Sequence, residues 1–178
     1  MGHTLDVLVK NAEHLSGVEG SIASAAEKKH IHTILVSSSH EKEGKTTSAV
    51  MLAYALAVQS DAKVLLVDGN ISAPAISELF QVSPSPGLTD FLSQDKDFSA
   101  VIKKTSYKNL SIMTYGTASS SVRDFFRNEI FKNKLDALRQ AFDYVIVDGP
   151  SILKSSEISL IAACFDGTVV VVECQKTR

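Results

Sequence analysis

Short apolar runs alternate along the chain with longer segments in which apolar residues recur at helical spacing. The predicted strands cover residues 33–37, 63–68, 110–113, 143–148 and 168–174, and the predicted helices cover residues 46–58, 74–80, 88–92, 98–103, 122–141 and 156–164. These strands lack the period-two alternation of half-buried strands, which is typical of strands covered on both faces. The pattern therefore predicts an α/β fold with a mostly parallel central sheet flanked by helices.

Two of the predicted helices carry further local signals. The helix over residues 74–80 begins with Pro74, a residue that suits a first helical turn. The long helix over residues 122–141 has apolar positions available to face the core, namely Phe125, Phe126, Ile130, Leu135 and Leu138.

Composition fits a single domain. The chain has 178 residues, of which 44% are hydrophobic and 21% are charged, so it can form a real core. We expect an N-terminal helical extension over residues 1–30 and a core over residues 31–178. The formal net charge of −2 argues against a broad basic face for nucleic acid.

The cellular setting is predicted from what the sequence lacks. Cys164 and Cys174 are too few for a disulfide framework and are expected as reduced thiols. No apolar run approaches the about 18 residues of a transmembrane helix. The first 30 residues lack the apolar region of a secretory signal. A reduced cytoplasmic setting is therefore expected.

A phosphate-binding motif lies between the first predicted strand and the first predicted helix. Residues 39–46 fit G-x-x-x-x-G-K-[ST], the Walker A pattern, except that Ser39 stands at the first glycine. Backbone N–H groups of such a loop cradle phosphate oxygens, Lys45 reaches the terminal phosphates, and Thr46 supplies a hydroxyl to Mg²⁺. The predicted contacts to ATP or ADP in this segment are Ser39, Lys42, Glu43, Gly44, Lys45, Thr46 and Thr47.

Two aspartates end predicted strands at the same edge of the sheet. Asp148 is expected in the magnesium shell, and Asp68 is expected near the γ-phosphate as a base or a second metal contact. Lys45, Asp68 and Asp148 are thus the candidate catalytic residues, and Thr46, Asp68 and Asp148 the candidate metal ligands. The alternative for either aspartate alone is that it ends a strand or caps a helix.

Together these segments resemble the bacterial tyrosine kinases of polysaccharide export. That family lies within the P-loop group that contains the chromosome-partitioning and division-site ATPases. Residues 39–46 match its loop type S-x-x-x-x-E-G-K-[ST], residues 64–74 resemble its strand followed by D-x-D-x-R and a proline, and residues 143–150 resemble D-Y-V-I-I-D-x-P. Residues 86–92 and 110–116 are further likenesses, and the resemblance spans roughly residues 30–178.

The resemblance implies a biological role that the residues alone do not. It implies a tyrosine-kinase-like transferase that uses Mg-ATP and acts in exopolysaccharide or capsule biosynthesis or export. It also implies a membrane-bound polysaccharide co-polymerase as activating partner. The domain would then lie at the inner face of the membrane through that partner, without a membrane span of its own.

The second motif departs from the family pattern. Asn70 stands at the second aspartate of D-x-D, and Ser72 stands at the arginine. Asn70 is expected to contact the nucleotide through its carbonyl, but it cannot act as a base. Autokinase activity is therefore expected to be weak or lost, although phosphorylation of a separate protein remains open.

Other family features are missing as well. The ring-assembly motif E-x-x-R-x-x-R has its nearest counterpart at residues 19–25, where Ile22 and Ala25 replace the arginines, so no ring is inferred although a homo-oligomer stays open. His40 replaces the signature lysine of the partitioning ATPases. No C-terminal tyrosine cluster is present, since the tyrosines are Tyr54, Tyr107, Tyr115 and Tyr144.

Two alternatives to the kinase-like interpretation stay open. One is a partitioning or positioning ATPase, and the other is a non-enzymatic interaction module on the same fold. The adenine pocket has no clear signature, and residues 175–178 are the candidate for it.

Overall fold

The structure is a computed structural model that describes residues 5, 21–22, 24–25, 28–70, 72–93, 97–117, 129–155 and 158–173. The strands are β1 (Thr33–Ser38), β2 (Val64–Asp68), β3 (Lys103–Lys104), β4 (Leu110–Met113), β5 (Tyr144–Asp148) and β6 (Gly167–Val171). The helices are α1 (Lys45–Gln59), α2 (Ile76–Leu79), α3 (Leu88–Ser93), α4 (Glu129–Ala141) and α5 (Ile158–Ala162). Single 3₁₀ turns cover Phe98–Ala100 and Ile152–Lys154.

The described strands form one sheet in the order β3-β4-β2-β5-β1-β6. Every neighbouring pair is parallel except β3 and β4, which are antiparallel. All residues of β1, β2 and β4 are buried, as their continuous apolar runs predict. The prediction of a mostly parallel sheet flanked by helices is confirmed.

The core has two halves, one on each face of the sheet, because successive side chains of a strand point to opposite faces. Leu35, Leu65 and Val147 pack on the face that α3, α4 and α5 cover. Ile34, Leu66 and Ile146 pack on the other face, against α1. Helix α1 is buried from Ala49 to Ala57, so it packs closely on this face of the sheet.

Two of the helix predictions are wrong in part. Only the first half of segment 98–103 is helical, because Lys103 pairs with Ile112 and begins the antiparallel edge strand β3. Lysines are common in such short edge strands because their charge disfavours pairing with another chain. Pro74 lies before helix α2 and not in its first turn, because backbone contacts to Asp68 set the helix start at Ile76.

The last strand is an edge strand and is not buried on both faces. Of the described strands, β1 alone pairs with β6. Val170 and Val172 are 48% and 55% exposed, while Val169 and Val171 pack against the core. The strand also ends earlier than predicted, at Val171.

The predicted apolar face of the long helix is partly corrected. Leu135 and Leu138 are buried, but Ile130 is 43% exposed and Phe131 is the buried side chain at that turn. The predicted helix 156–164 is described as α5, Ile158–Ala162. Residues 122–128 with Phe125 and Phe126, Cys174 and the adenine-pocket candidate 175–178 lie outside the described residues. Among the described residues, no helix has the length and apolar character needed to cross a bilayer.

Candidate nucleotide and magnesium site

The carboxyl ends of three central strands bring the predicted site residues together. Asp68 at the end of β2 is the register partner of Asp148 at the end of β5. β1 pairs directly with β5, and the loop that follows β1 leads into α1 at Lys45. A parallel sheet places the ends of such strands at one edge, and that edge is where ligands of this fold class bind.

The P-loop, residues 39–46, depends on a left-handed backbone at Gly44. This residue has φ 88° at the N-terminal cap of α1, a conformation that favours glycine. A Cβ built on Gly44 would meet no atom within 4 Å, so the glycine is required for its backbone angle and not for space. The loop therefore leaves the first N–H groups of α1 open toward a ligand.

Side-chain contacts hold the outer part of the P-loop in place. The Glu43 carboxylate accepts the His40 backbone N–H at 2.8 Å, and Glu43 is buried. The Leu153 N–H donates to the Ser39 carbonyl at 3.2 Å. Glu43 and Ser39, both predicted as nucleotide contacts, thus shape the loop and do not line the cleft in front of it.

The P-loop forms one wall of an open cleft of about 520 Å³, a volume typical of small-ligand sites. The opposite wall is the Asp68 loop, defined here as residues 69–70 and 72–75. The residues that line the cleft come from both walls and are Glu41, Lys42, Gly44, Lys45, Thr46, Thr47, Asn70, Ser72, Ala73 and Ala75. Six of the eight predicted nucleotide contacts are therefore on this surface.

Asp148 has an oxygen that is suited to a cation. Its Oδ2 accepts the Thr46 hydroxyl at 2.6 Å, while its Oδ1 is buried without a hydrogen-bond partner among the described residues. Burial is the main cause that raises the pKa of Asp148 to about 7. The Thr46 hydroxyl lowers this pKa, the Asp68 charge raises it, and the Lys45 charge lowers it. Mg²⁺ binds oxygen ligands, and the Asp148 carboxylate beside the Thr46 hydroxyl offers them, so these two residues fit the ion.

Asp68 is held differently, because the backbone satisfies both of its oxygens. Its Oδ2 accepts the N–H groups of Ala75 and Ile76 at 2.9 and 3.0 Å, and its Oδ1 accepts the Asn70 N–H at 3.3 Å. Burial raises the pKa of Asp68 despite these three hydrogen bonds. The helix-cap alternative thus describes Asp68, which starts α2 and shapes the Asp68 loop.

Asn70 presents an amide to the cleft where the D-x-D motif of the resemblance has a carboxylate. Its Nδ2 donates to the Ala73 carbonyl at 2.9 Å, and this bond within the loop orients the side chain. Ser72 is exposed on the same wall. The cleft surface contributed by the Asp68 loop therefore carries no formal charge.

Sequence reasoning missed an ion pair between the P-loop and the turn that follows β5. Lys154 Nζ lies 2.8 Å from Glu41 Oε2, and the pair lowers the pKa of the Glu41 carboxyl. No sequence pattern indicates this contact, because the two residues are 113 positions apart.

None of the four tyrosines of the chain is fully exposed. Tyr54 and Tyr115 are buried, and Tyr107 and Tyr144 are half-buried. Tyr54 packs edge-to-face on Tyr107 with ring centroids 5.2 Å apart. Burial first, and then the charge of Asp68, raises the pKa of Tyr115.

Comparison with known proteins agrees with this geometry. The sequence matches the AAA domain family over residues 31–177. It is 30% identical to the tyrosine-protein kinase CpsD of Streptococcus pneumoniae over 168 residues. The aligned region covers 94% of this chain and 73% of that protein. The chain belongs to the AAA domain family and groups with the bacterial tyrosine kinases.

Solved structures support the same placement of this bacterial tyrosine-kinase relative. The VpsO kinase domain superimposes with a TM-score of 0.80 at 27% identity, covering 99% of this chain and 83% of that chain. The septum site-determining protein MinD of Pyrococcus horikoshii, solved with Mg-ADP, has a TM-score of 0.66 at 23% identity, covering 79% and 57%. The MinD match shows the shared fold alone. The resemblance stated from the sequence is thus confirmed.

Proposed function

We propose that this chain binds Mg-ATP or Mg-ADP as a nucleotide-binding domain of the bacterial tyrosine-kinase type. The observation that carries the proposal is the hydrogen bond of Thr46 to Asp148 beside the cleft that Lys45 lines, with the second Asp148 oxygen buried and without a partner among the described residues. A hydroxyl, a carboxylate and a lysine at the start of a helix form the arrangement that P-loop proteins use for a metal-bound polyphosphate.

The P-loop residues and Asp148 have separate roles in this proposal. Gly44 and Thr47 offer backbone N–H groups to the phosphates, and Lys45 neutralises their charge. Thr46 and Asp148 hold Mg²⁺, which when bound supplies further positive charge beside the phosphates. Asp68 as base or second metal contact stays a prediction. Its Oδ2 accepts two N–H groups that shape the loop, whereas Oδ1 accepts one N–H at 3.3 Å and is the oxygen suited to such a role.

We infer that transfer of phosphate to the chain's own tyrosines is weak or lost. Asn70 is a neutral amide and cannot accept a proton from a hydroxyl nucleophile. Two of the four tyrosines are buried and two are half-buried, so none of them is a fully exposed acceptor. A kinase activity of this domain would then act on a tyrosine outside the four of this sequence.

The proposed biological setting rests on the similarity to the bacterial tyrosine kinases. We propose a role in the regulation of exopolysaccharide or capsule biosynthesis or export, on the cytoplasmic face of the membrane. A membrane-bound polysaccharide co-polymerase would be the partner that recruits and activates the domain. Homo-oligomerisation, if present, would use contacts other than the ring-assembly arginines, since Ile22 and Ala25 stand at those positions.

The two alternatives have less support. A partitioning or positioning ATPase has only the shared fold in its favour, because the MinD likeness lies at 23% identity. A non-enzymatic interaction module would leave Lys45, Thr46 and Asp148 assembled at one cleft without a ligand.

The first test is thermal melting with and without Mg-ADP and Mg-ATP. Ligand at about 100 times its Kd stabilises a protein by roughly 2.7 kcal/mol, which for a domain of this size means a shift of about 5–10 °C. Lys45→Ala should lose the shift, and Lys132→Ala, at an exposed lysine of α4, should keep it. The absence of any shift for the wild type at millimolar nucleotide would refute the proposal.

A second test addresses phosphoryl transfer. Wild-type protein and Asn70→Asp are incubated with ATP labelled at the γ-phosphate, and phosphotyrosine is measured. Little label is expected in the wild type. In the variant, label is expected on a tyrosine-containing peptide added to both reactions, because a carboxylate returns to the cleft while the chain's own tyrosines stay buried or half-buried. Strong tyrosine labelling of the wild type that Lys45→Ala abolishes would contradict the inference of weak autokinase activity.

A further inference from the structure

Lys42 adopts a backbone conformation that favours glycine. Its φ is 65°, in the left-handed region, and lysine in that region is disfavoured by about 1 kcal/mol relative to the right-handed one. Local backbone preference therefore does not account for a lysine at this position of the P-loop.

The surrounding contacts impose this conformation. On one side of Lys42, the Leu153 N–H donates to the Ser39 carbonyl, and the Glu41 carboxylate pairs with Lys154. On the other side, the buried Glu43 accepts the His40 N–H within the loop. A strained residue persists where its neighbours fix the chain in this way, and such residues concentrate at ligand sites.

The Lys42 ammonium is available to a ligand in the cleft. Lys42 lines the cleft together with Lys45. Glu41, one sequence neighbour, is engaged by Lys154 at 2.8 Å, and Glu43, the other, accepts the His40 N–H. No ion pair joins Lys42 to a carboxylate in the described part of the chain. The opposite wall offers Asn70 and Ser72, which are uncharged. The positive charge on the cleft surface therefore comes from the P-loop alone.

We propose that Lys42 is a second phosphate-binding cation, which contacts the phosphate chain of a nucleoside di- or triphosphate from the open side of the cleft. This proposal rests on the proposed function, because it concerns the same nucleotide site. On this proposal, the lysine charge at position 42 serves ligand binding, although glycine would adopt the same backbone conformation at lower cost. The competing interpretation is a solvated lysine on an exposed loop.

The test uses substitutions that separate charge from backbone strain. Lys42→Gly removes both, Lys42→Gln removes only the charge, and Lys42→Arg keeps the charge. Calorimetric titration with Mg-ADP measures affinity at low and high salt, and thermal melting measures the ligand-free protein. Gln81→Gly is the matched control, since Gln81 is an exposed residue with φ 54° outside the cleft lining.

Lys42→Gly is expected to change the stability of the protein and its affinity for Mg-ADP in opposite directions. Lys42→Gly should raise the melting temperature of the ligand-free protein and yet weaken Mg-ADP binding about tenfold at low salt, because one charged contact to phosphate is lost. Lys42→Gln should weaken binding equally without the stabilisation, and Lys42→Arg should bind nearly as well as the wild type. Salt should weaken the wild type more than either neutral variant. Gln81→Gly should be stabilised with unchanged affinity.

Two results would overturn the inference, and they are distinguishable. If Lys42→Gln and Lys42→Gly bind Mg-ADP within about twofold of a wild type that binds well, Lys42 is a solvated lysine and the proposed nucleotide site stands. If the wild type itself does not bind at millimolar nucleotide, the proposed function and the inference fail together.

Discussion

Replacement of Asp148 by asparagine should stabilise the ligand-free protein and weaken its response to Mg-nucleotide. The carboxylate is fully buried, one oxygen has no hydrogen-bond partner, and the Asp68 carboxylate is its register neighbour. Asparagine keeps an acceptor for the Thr46 hydroxyl and removes the buried negative charge. A site built for a cation is expected to be unfavourable when the cation is missing.

The size of the effect follows from proton linkage. Burial, opposed by the Thr46 hydroxyl, raises the pKa of Asp148 from its ordinary value of 3.8 to about 7. Between these values the folded state binds more protons than the unfolded state, so stability falls as the pH rises through this window and is level above it. At about 1.4 kcal/mol per pH unit, the ceiling is about 4 kcal/mol. The buried amide offsets about half of this, which leaves about 2 kcal/mol at pH 8.

Urea and thermal unfolding of the ligand-free proteins at pH 8 and near pH 4 measure this prediction. At pH 8 the variant should melt about 4–8 °C above the wild type, and this advantage should disappear as the pH falls toward 4, because the folded-state carboxyl is then protonated and the unfolded-state carboxyl is about half protonated. Mg-ADP should bind the variant at least about tenfold more weakly. Asp136→Asn, at a partly exposed carboxylate of α4, controls for the loss of one negative charge.

A variant that is less stable than the wild type at pH 8 would refute the reasoning. It would mean that the ionised carboxylate is stabilised in the ligand-free protein, for example by ordered water at Oδ1. A gain of equal size at both pH values would also contradict it, because charge burial would then not be the cause.

The structure supports two further predictions. Gly87→Ala would place a Cβ 2.2 Å from the backbone oxygen of Thr114, so we expect a loss of about 2–4 kcal/mol in urea unfolding, and a variant within 0.5 kcal/mol would show that the loop adapts easily. Burial raises the pKa of Asp166, but backbone and hydroxyl donors that include Thr33, together with Arg139, lower it by more. Its stabilisation should therefore be present above the ordinary pKa and lost as the pH falls through the lower folded pKa, a change that Asp166→Ala should remove from unfolding curves measured between pH 2 and 7.

The local sequence was sufficient for most of the sheet and for the P-loop. Continuous apolar runs such as residues 33–37 and 143–148 are buried strands wherever two neighbours flank them. The same reasoning failed for residues 168–174, since a valine run has the same pattern at an edge as in the centre of a sheet. Strand order depends on contacts between distant segments, and it decides which runs become edges.

The sequence was also sufficient for only part of the candidate site. Gly44, Lys45 and Thr46 are neighbours in the chain, so their spacing between a strand and a helix was enough to predict a phosphate loop. The two aspartates carried the same signal, a carboxylate at a strand end, and only the tertiary structure separated them. Asp68 meets backbone N–H groups seven and eight residues along the chain, whereas Asp148 meets a hydroxyl 102 positions away and keeps one oxygen free. Sequence spacing determined which chemical groups reach this edge of the sheet, but folding decided which of their hydrogen bonds are already satisfied, because partners are set by proximity in space.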